Sequence, residues 1–129
     1  MPITIASVTV DCADALTVAR FWSVALDRPL DPNASSEFAS IGFAGRRDTA
    51  GWATVDQAGQ PTWMFVKVAE PKTAKNRMHL DLMTADPETD VARLVGLGAT
   101  RVRDMEEYGY TWIVMTDPEG NEFCIAKAV

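Results

Sequence analysis

His79 is the only histidine in 129 residues, and it lies two positions before an aspartate in Asn76-Arg77-Met78-His79-Leu80-Asp81-Leu82. Residues two apart on an extended chain share a face, so His79 and Asp81 point the same way. An imidazole beside a carboxylate suits a general base whose tautomer is held by its neighbour, which makes His79 and Asp81 the candidate catalytic residues. The competing reading is a neutral histidine satisfied within a half-polar strand. Imidazole also ligates metals, but a catalytic metal site needs about three protein ligands with an open position. The donors available to join His79 are Asp81, Asp11, Cys124 and Glu122. A thiolate mixed with hard carboxylates is unusual outside zinc sites. No cofactor is therefore expected. A divalent metal is the alternative, with Cys124 and Glu122 as its weak additional ligands, and Cys124 otherwise reads as an inert thiol.

Elements that would carry these residues follow from periodicity. Residues 3–11 alternate and are β-branched, as in a half-buried strand. Asp14 is a plausible N-cap for a helix whose buried face carries Val18, Phe21, Trp22 and Ala25, stopped by Arg28-Pro29. Three short runs, 38–43, 51–55 and 62–68, are punctuated by glycine and proline like strands of a meander. The order then repeats. Residues 77–83 read as a strand, and Asp86-Pro87 opens a helix with Val91, Leu94, Val95 and Leu97 on its apolar face and Gly98 at its end. Strands over 100–104, 110–116 and 122–127 follow, the last two joined by a turn at Asp117-Pro118-Glu119-Gly120.

The chain has the length of one domain, and 47% of its residues are hydrophobic, enough for a core without staples. A net charge of −6 disfavours nucleic acid and anionic lipid. Two cysteines are too few for a secreted disulfide framework, and no apolar run reaches the ~20 residues of a membrane span. A cytoplasmic protein with reduced thiols is expected.

The two halves, about 1–70 and 76–129, share one element order, and "SVTVDCAD" (7–14) aligns with "HLDLMTAD" (79–86). This points to an internal duplication within a single domain spanning 1–129. A chain of paired β-α-β-β-β modules with the segments "VTVDCADALTVARFW", "KNRMHLDL" and "TDPEGNEFCI" resembles the glyoxalase-like branch of the vicinal oxygen chelate superfamily, which includes bleomycin-resistance proteins and extradiol dioxygenases. The resemblance implies an α+β fold, with the two βαβββ modules forming an incomplete eight-stranded barrel, helices outside. It also implies a homodimer. Metal-dependent members place one ligand on each of the first, fourth, fifth and eighth strands, which correspond here to Ser7, Val66, His79 and Cys124. Only His79 keeps an expected ligand type.

Alternation extends those positions into a pocket lining of Ser7, Thr9, Asp11, Met64, Val66, His79, Asp81, Met83, Ile113, Met115 and Cys124. Trp52, Tyr108 and Tyr110 would close its mouth, while Trp22, Trp63 and Trp112 are expected in the core under the helices. A mostly apolar interior with a few polar groups suits a small hydrophobic or aromatic molecule. The expected function is binding or sequestration of such a metabolite or natural product. The alternative is a lyase, isomerase or dioxygenase with rearranged metal ligands or a metal-free His79/Asp81 mechanism.

Overall fold

A strand with alternating apolar and polar residues makes a two-faced sheet, and one helix is enough to cover one of those faces. The computed structural model describes residues 7–43, 47–48, 51–52, 60–76, 78–107 and 109–128. It divides into two compact units, Met1–Pro71 and Lys72–Val129. Each uses this solution, and the fold is α+β.

The first unit contains β1 (Ser7–Cys12), α1 (Ala15–Leu26), β2 (Phe38–Ile41), β3 (Arg47–Asp48), β4 (Gly51–Trp52) and β5 (Thr62–Lys67). The expected strand at 51–55 is represented by β4, which pairs with β3 in a two-residue ladder, and residues 53–55 lie outside those described. β1 runs parallel to β5, which pairs antiparallel with β2, giving the order β1-β5-β2. Asp14 caps α1 by accepting a hydrogen bond from the Thr17 amide at 3.2 Å. Helical spacing then turns Ala15, Val18, Ala19, Phe21 and Trp22 inward. They meet Trp63, Phe65, Ala39 and Ile41, all buried. The rings of Trp22 and Trp63 lie 5.1 Å apart, so both tryptophans belong to this core.

The second unit contains β6 (Leu80–Thr84), α2 (Pro87–Gly96), β7 (Thr100–Glu107), β8 (Tyr110–Thr116) and β9 (Glu122–Lys127). Its sheet has the order β6-β9-β8-β7, parallel between β6 and β9 and antiparallel elsewhere, and it does not close on itself. Asp86 caps α2, accepting from the Thr89 amide at 3.2 Å and from the Thr89 hydroxyl at 2.7 Å, with Pro87 in the first turn. Val91 and Leu94 are buried, together with Ile113, Met115, Phe123 and Ile125 from the sheet. Val95, expected on the same apolar face, is instead 47% exposed. Gly98 follows the helix with φ +116, a dihedral that a side chain disfavours.

One loop decides which face each strand presents. The expectation of a four-residue turn would pair Met115 with Glu122 and Ile113 with Cys124. The observed register pairs Thr116 with Glu122 and Val114 with Cys124, one residue away. The cause lies in Asp117, which is buried and accepts hydrogen bonds from the amides of Glu119 and Asn121, both at 2.9 Å, and from the Asn121 side-chain amide at 3.0 Å. Gly120 takes φ +85, and the Asp117 amide donates to the Asn121 carbonyl at 2.9 Å. The connection thus holds five residues, and an odd loop reverses the face of everything paired through it.

Candidate functional site

Register places the chemistry of the second unit on the sheet face opposite α2. Asp81 pairs with Cys124, Cys124 with Val114, and Val114 with Arg103, so these four form one row across all four strands. On one side of the row Met105 pairs with Trp112, and on the other Thr116 pairs with Glu122. His79 immediately precedes β6 rather than lying within it. Together with Lys75 the residues of this face line a hollow of about 320 Å³: Lys75, His79, Asp81, Arg103, Met105, Trp112, Val114, Glu122 and Cys124. A second hollow of about 440 Å³ continues from it, sharing Lys75, Arg103, Val114 and Glu122.

The polar groups are arranged in two clusters. At one corner His79 Nε2 stands 3.4 Å from Asp81 Oδ1. Cys124 Sγ joins them, the ligand atoms of all three lying within 4.8 Å of one another. Cys124 is buried, and burial pushes its thiol above the ordinary cysteine value, with the negative charge of Asp81 adding to the rise. At the second corner Lys75 Nζ donates to Glu122 Oε2 at 2.5 Å. That hydrogen bond is the main reason the Glu122 carboxyl lies below its usual range. Arg103 is exposed and has no ion-pair partner among the described residues. Trp112 is only half-buried although it lies mid-sheet, because its face is the open one.

The remaining expected lining residues fall elsewhere. Ile113 and Met115 are buried on the α2 side by the register described above, which removes them from this face. Trp112 moves the other way, from the expected core to the open face. Met83 shares the face of Asp81, pairs with Ala126 and is 68% exposed, outside the hollow. Tyr110 begins β8 and is 74% exposed. In the first unit Ser7, Thr9 and Asp11 of β1 pair with Thr62, Met64 and Val66 of β5, putting the expected Ser7, Thr9, Asp11, Met64 and Val66 on the sheet face turned away from α1. The side chain of Trp52 and all of Tyr108 lie outside the described residues. Sequence reasoning missed Lys75, Arg103, Met105, Trp112 and Val114. The signal for the last four was the five-residue loop, legible as an aspartate that opens the turn and a glycine in its fourth position.

The four metal positions implied by the family resemblance do not fit a hard oxygen-and-nitrogen site. Val66 has no donor atom and Ser7 offers only a neutral hydroxyl, so no chemical step is derived through a metal held there. Of the substitute donors, Asp81 and Cys124 join His79, while Glu122 is engaged by Lys75.

Residues 7–126 match the family profile of the glyoxalase-like domain. Among curated proteins none is significantly similar to the chain. Similar solved structures include a glyoxalase/bleomycin resistance protein/dioxygenase family enzyme from Burkholderia phytofirmans, with TM-score 0.70 and 17% identity, covering 98% of this chain and 100% of the other. The bleomycin-binding protein of Streptomyces verticillus, determined with copper(II)-bleomycin, has TM-score 0.59 and 14% identity, covering 100% and 99%. The fosfomycin resistance protein FosX of Mesorhizobium loti has TM-score 0.65 and 14% identity, covering 100% and 95%. At these identities the likeness is one of fold.

Proposed function

Because the chain belongs to the glyoxalase-like domain family, within the vicinal oxygen chelate superfamily, we propose that it binds a small hydrophobic or aromatic molecule on the open face of the β6-β9-β8-β7 sheet. The observation that carries this reading is Trp112, held half-buried at the floor of a hollow beside Met105 and Val114 and rimmed by Lys75, Arg103 and Asp81. An indole on an open sheet face offers a flat apolar surface for a ring, and the charges around it orient polar substituents. The hollow's about 320 Å³ is at the lower end of the size that ligand pockets occupy. A structural neighbour described as a bleomycin-binding protein, determined with copper(II)-bleomycin, supports this reading. Binding or sequestration is the activity we assign.

The experiment is a thermal-shift screen of aromatic metabolites and natural products, followed by calorimetry on the hits. Trp112→Ala should weaken a true ligand by roughly tenfold, about the 1.4 kcal/mol expected for a lost aromatic contact with its buried area. Hits whose affinity is indifferent to Trp112→Ala and to Arg103→Ala would overturn the assignment.

The 3.4 Å approach of His79 to Asp81 favours one second reading, a metal-free lyase or isomerase in which His79 takes a proton and Asp81 orients it. Turnover of dicarbonyl, epoxide or catechol substrates should then be lost in His79→Ala. Turnover that persists in that variant removes the mechanism.

A further inference from the structure

Arg101 and Arg103 are two residues apart on β7, yet they stand on opposite faces of the sheet. The ladder skips Val102 as a bulge, so Arg101 pairs with Met115 and Arg103 with Val114. Arg101 thereby reaches α2, where it donates to Glu88 at 2.9 and 3.1 Å, and it also donates to Asp104 at 2.9 Å. Arg103 is turned to the open face, with no ion-pair partner among the described residues. We propose that its guanidinium reads an anionic oxygen group, a carboxylate or a phosphate, on the aromatic ligand. The proposal rests on the binding assigned above and names the class of molecule as an aromatic acid rather than a neutral ring.

Charge supports it. In a chain of net charge −6, the hollow of about 440 Å³ beside Arg103 is lined by Lys72, Lys75 and Arg103 against Glu122 as its one carboxylate. Glu122 is taken by Lys75, and Lys72 Nζ donates to the neutral Ala74 carbonyl at 2.6 Å, which leaves its charge uncompensated. Asp81 ends the same row three strands away, about 14 Å at the usual strand spacing and beyond the ~8–10 Å reach of screened charges.

Spacing supports it as well. Trp112 and Val114 are two residues apart on β8, so the Arg103 row lies about 7 Å along the strand from the indole. A ring stacked on Trp112 would bring an acid on a short arm to the guanidinium, whose planar fork matches two oxygens at once.

The full chain is titrated with cinnamate and with cinnamamide, its neutral counterpart of nearly the same shape, and binding is read from the NMR shifts of the Trp112 indole. The acid should bind about fivefold more tightly, the upper figure for an ion pair open to solvent. The margin should narrow in ~1 M NaCl, and Arg103→Gln, at an exposed position where folding is not at stake, should bring the two affinities together. Phenyl phosphate against phenol makes the same comparison for a phosphoryl group, so the pair that shows the larger preference names the oxyanion. Binding of the neutral partners at Trp112 with no preference for either acid would refute the proposal and leave ligand binding on the open face standing. A preference for acid that survives Arg103→Gln would refute it too, and saturation by none of the four would refute both readings.

Discussion

Replacing Asp117 should cost the second unit more than any exposed carboxylate, because one buried side chain holds the loop that sets the register of the site. Its carboxylate accepts hydrogen bonds from the backbone amides of Glu119 and Asn121 at 2.9 Å and from the Asn121 side chain at 3.0 Å. A hydrogen bond to a charged group contributes about 1.5–3 kcal/mol, but Glu119 and Asn121 are half-buried and water can reach the donors that Asp117→Ala releases. Taking about 1 kcal/mol per bond gives a loss of about 3 kcal/mol. For a chain of this length that corresponds to a fall in Tm of about 10 °C. Asp117→Asn keeps an acceptor for the two amides but turns an NH₂ group toward the Asn121 side chain, so it should lose about a third of that amount, about 1 kcal/mol. Urea unfolding followed by circular dichroism reads both. If Asp117→Ala unfolds within about 0.5 kcal/mol of the parent, the loop does not set the register as argued, and the placement of Trp112 and Cys124 on one face loses its physical basis.

Phe123 is 1% exposed beneath α2, and Phe123→Ala should destabilise the protein by about 3–5 kcal/mol in the same unfolding assay. Acidification should weaken folding through Glu122: its carboxyl is held below the ordinary 4.5 by Lys75, so its contribution is present above that value and disappears as pH falls through the lower folded value. Lys75→Ala should flatten the acid limb of stability against pH, by about 0.5 kcal/mol at neutral pH for a pair this close to solvent. Iodoacetamide labelling followed by mass spectrometry should find Cys124 slow at pH 8 and faster as pH rises, because burial and Asp81 both hold the proton on sulfur, and Asp81→Asn should speed it.

Both helices were legible in the sequence because their caps are local signals. Asp14 and Asp86 each satisfy the amide three residues on, and Pro87 opens the second helix as its fixed φ requires. The faces of β1, β5 and β6 were also legible, since period-two alternation fixes which residues travel together. What the sequence hid was the phase of one strand against its neighbours. Counting four residues in the turn instead of five put Ile113 and Met115 on the open face and Trp112 in the core, inverting β8 while leaving its strand assignment intact. Val95 was misjudged for a related reason: it has the apolar character of the buried face, yet 47% of its surface is exposed while Val91 and Leu94 are covered. The approach of His79 to Cys124 lies beyond local reading altogether, because it depends on a parallel pairing between strands more than forty positions apart.

The most direct test of ligand binding on the open face is a backbone and indole NMR titration of the labelled protein with the tightest molecule from the thermal-shift screen. Shift changes are expected at the Trp112 indole and at Asp81, Arg103 and Cys124, with Leu94, Phe123 and Ile125 on the covered side unmoved. Perturbations centred on the α2 side of the sheet, or on the first unit with the Trp112 indole unchanged, would contradict it.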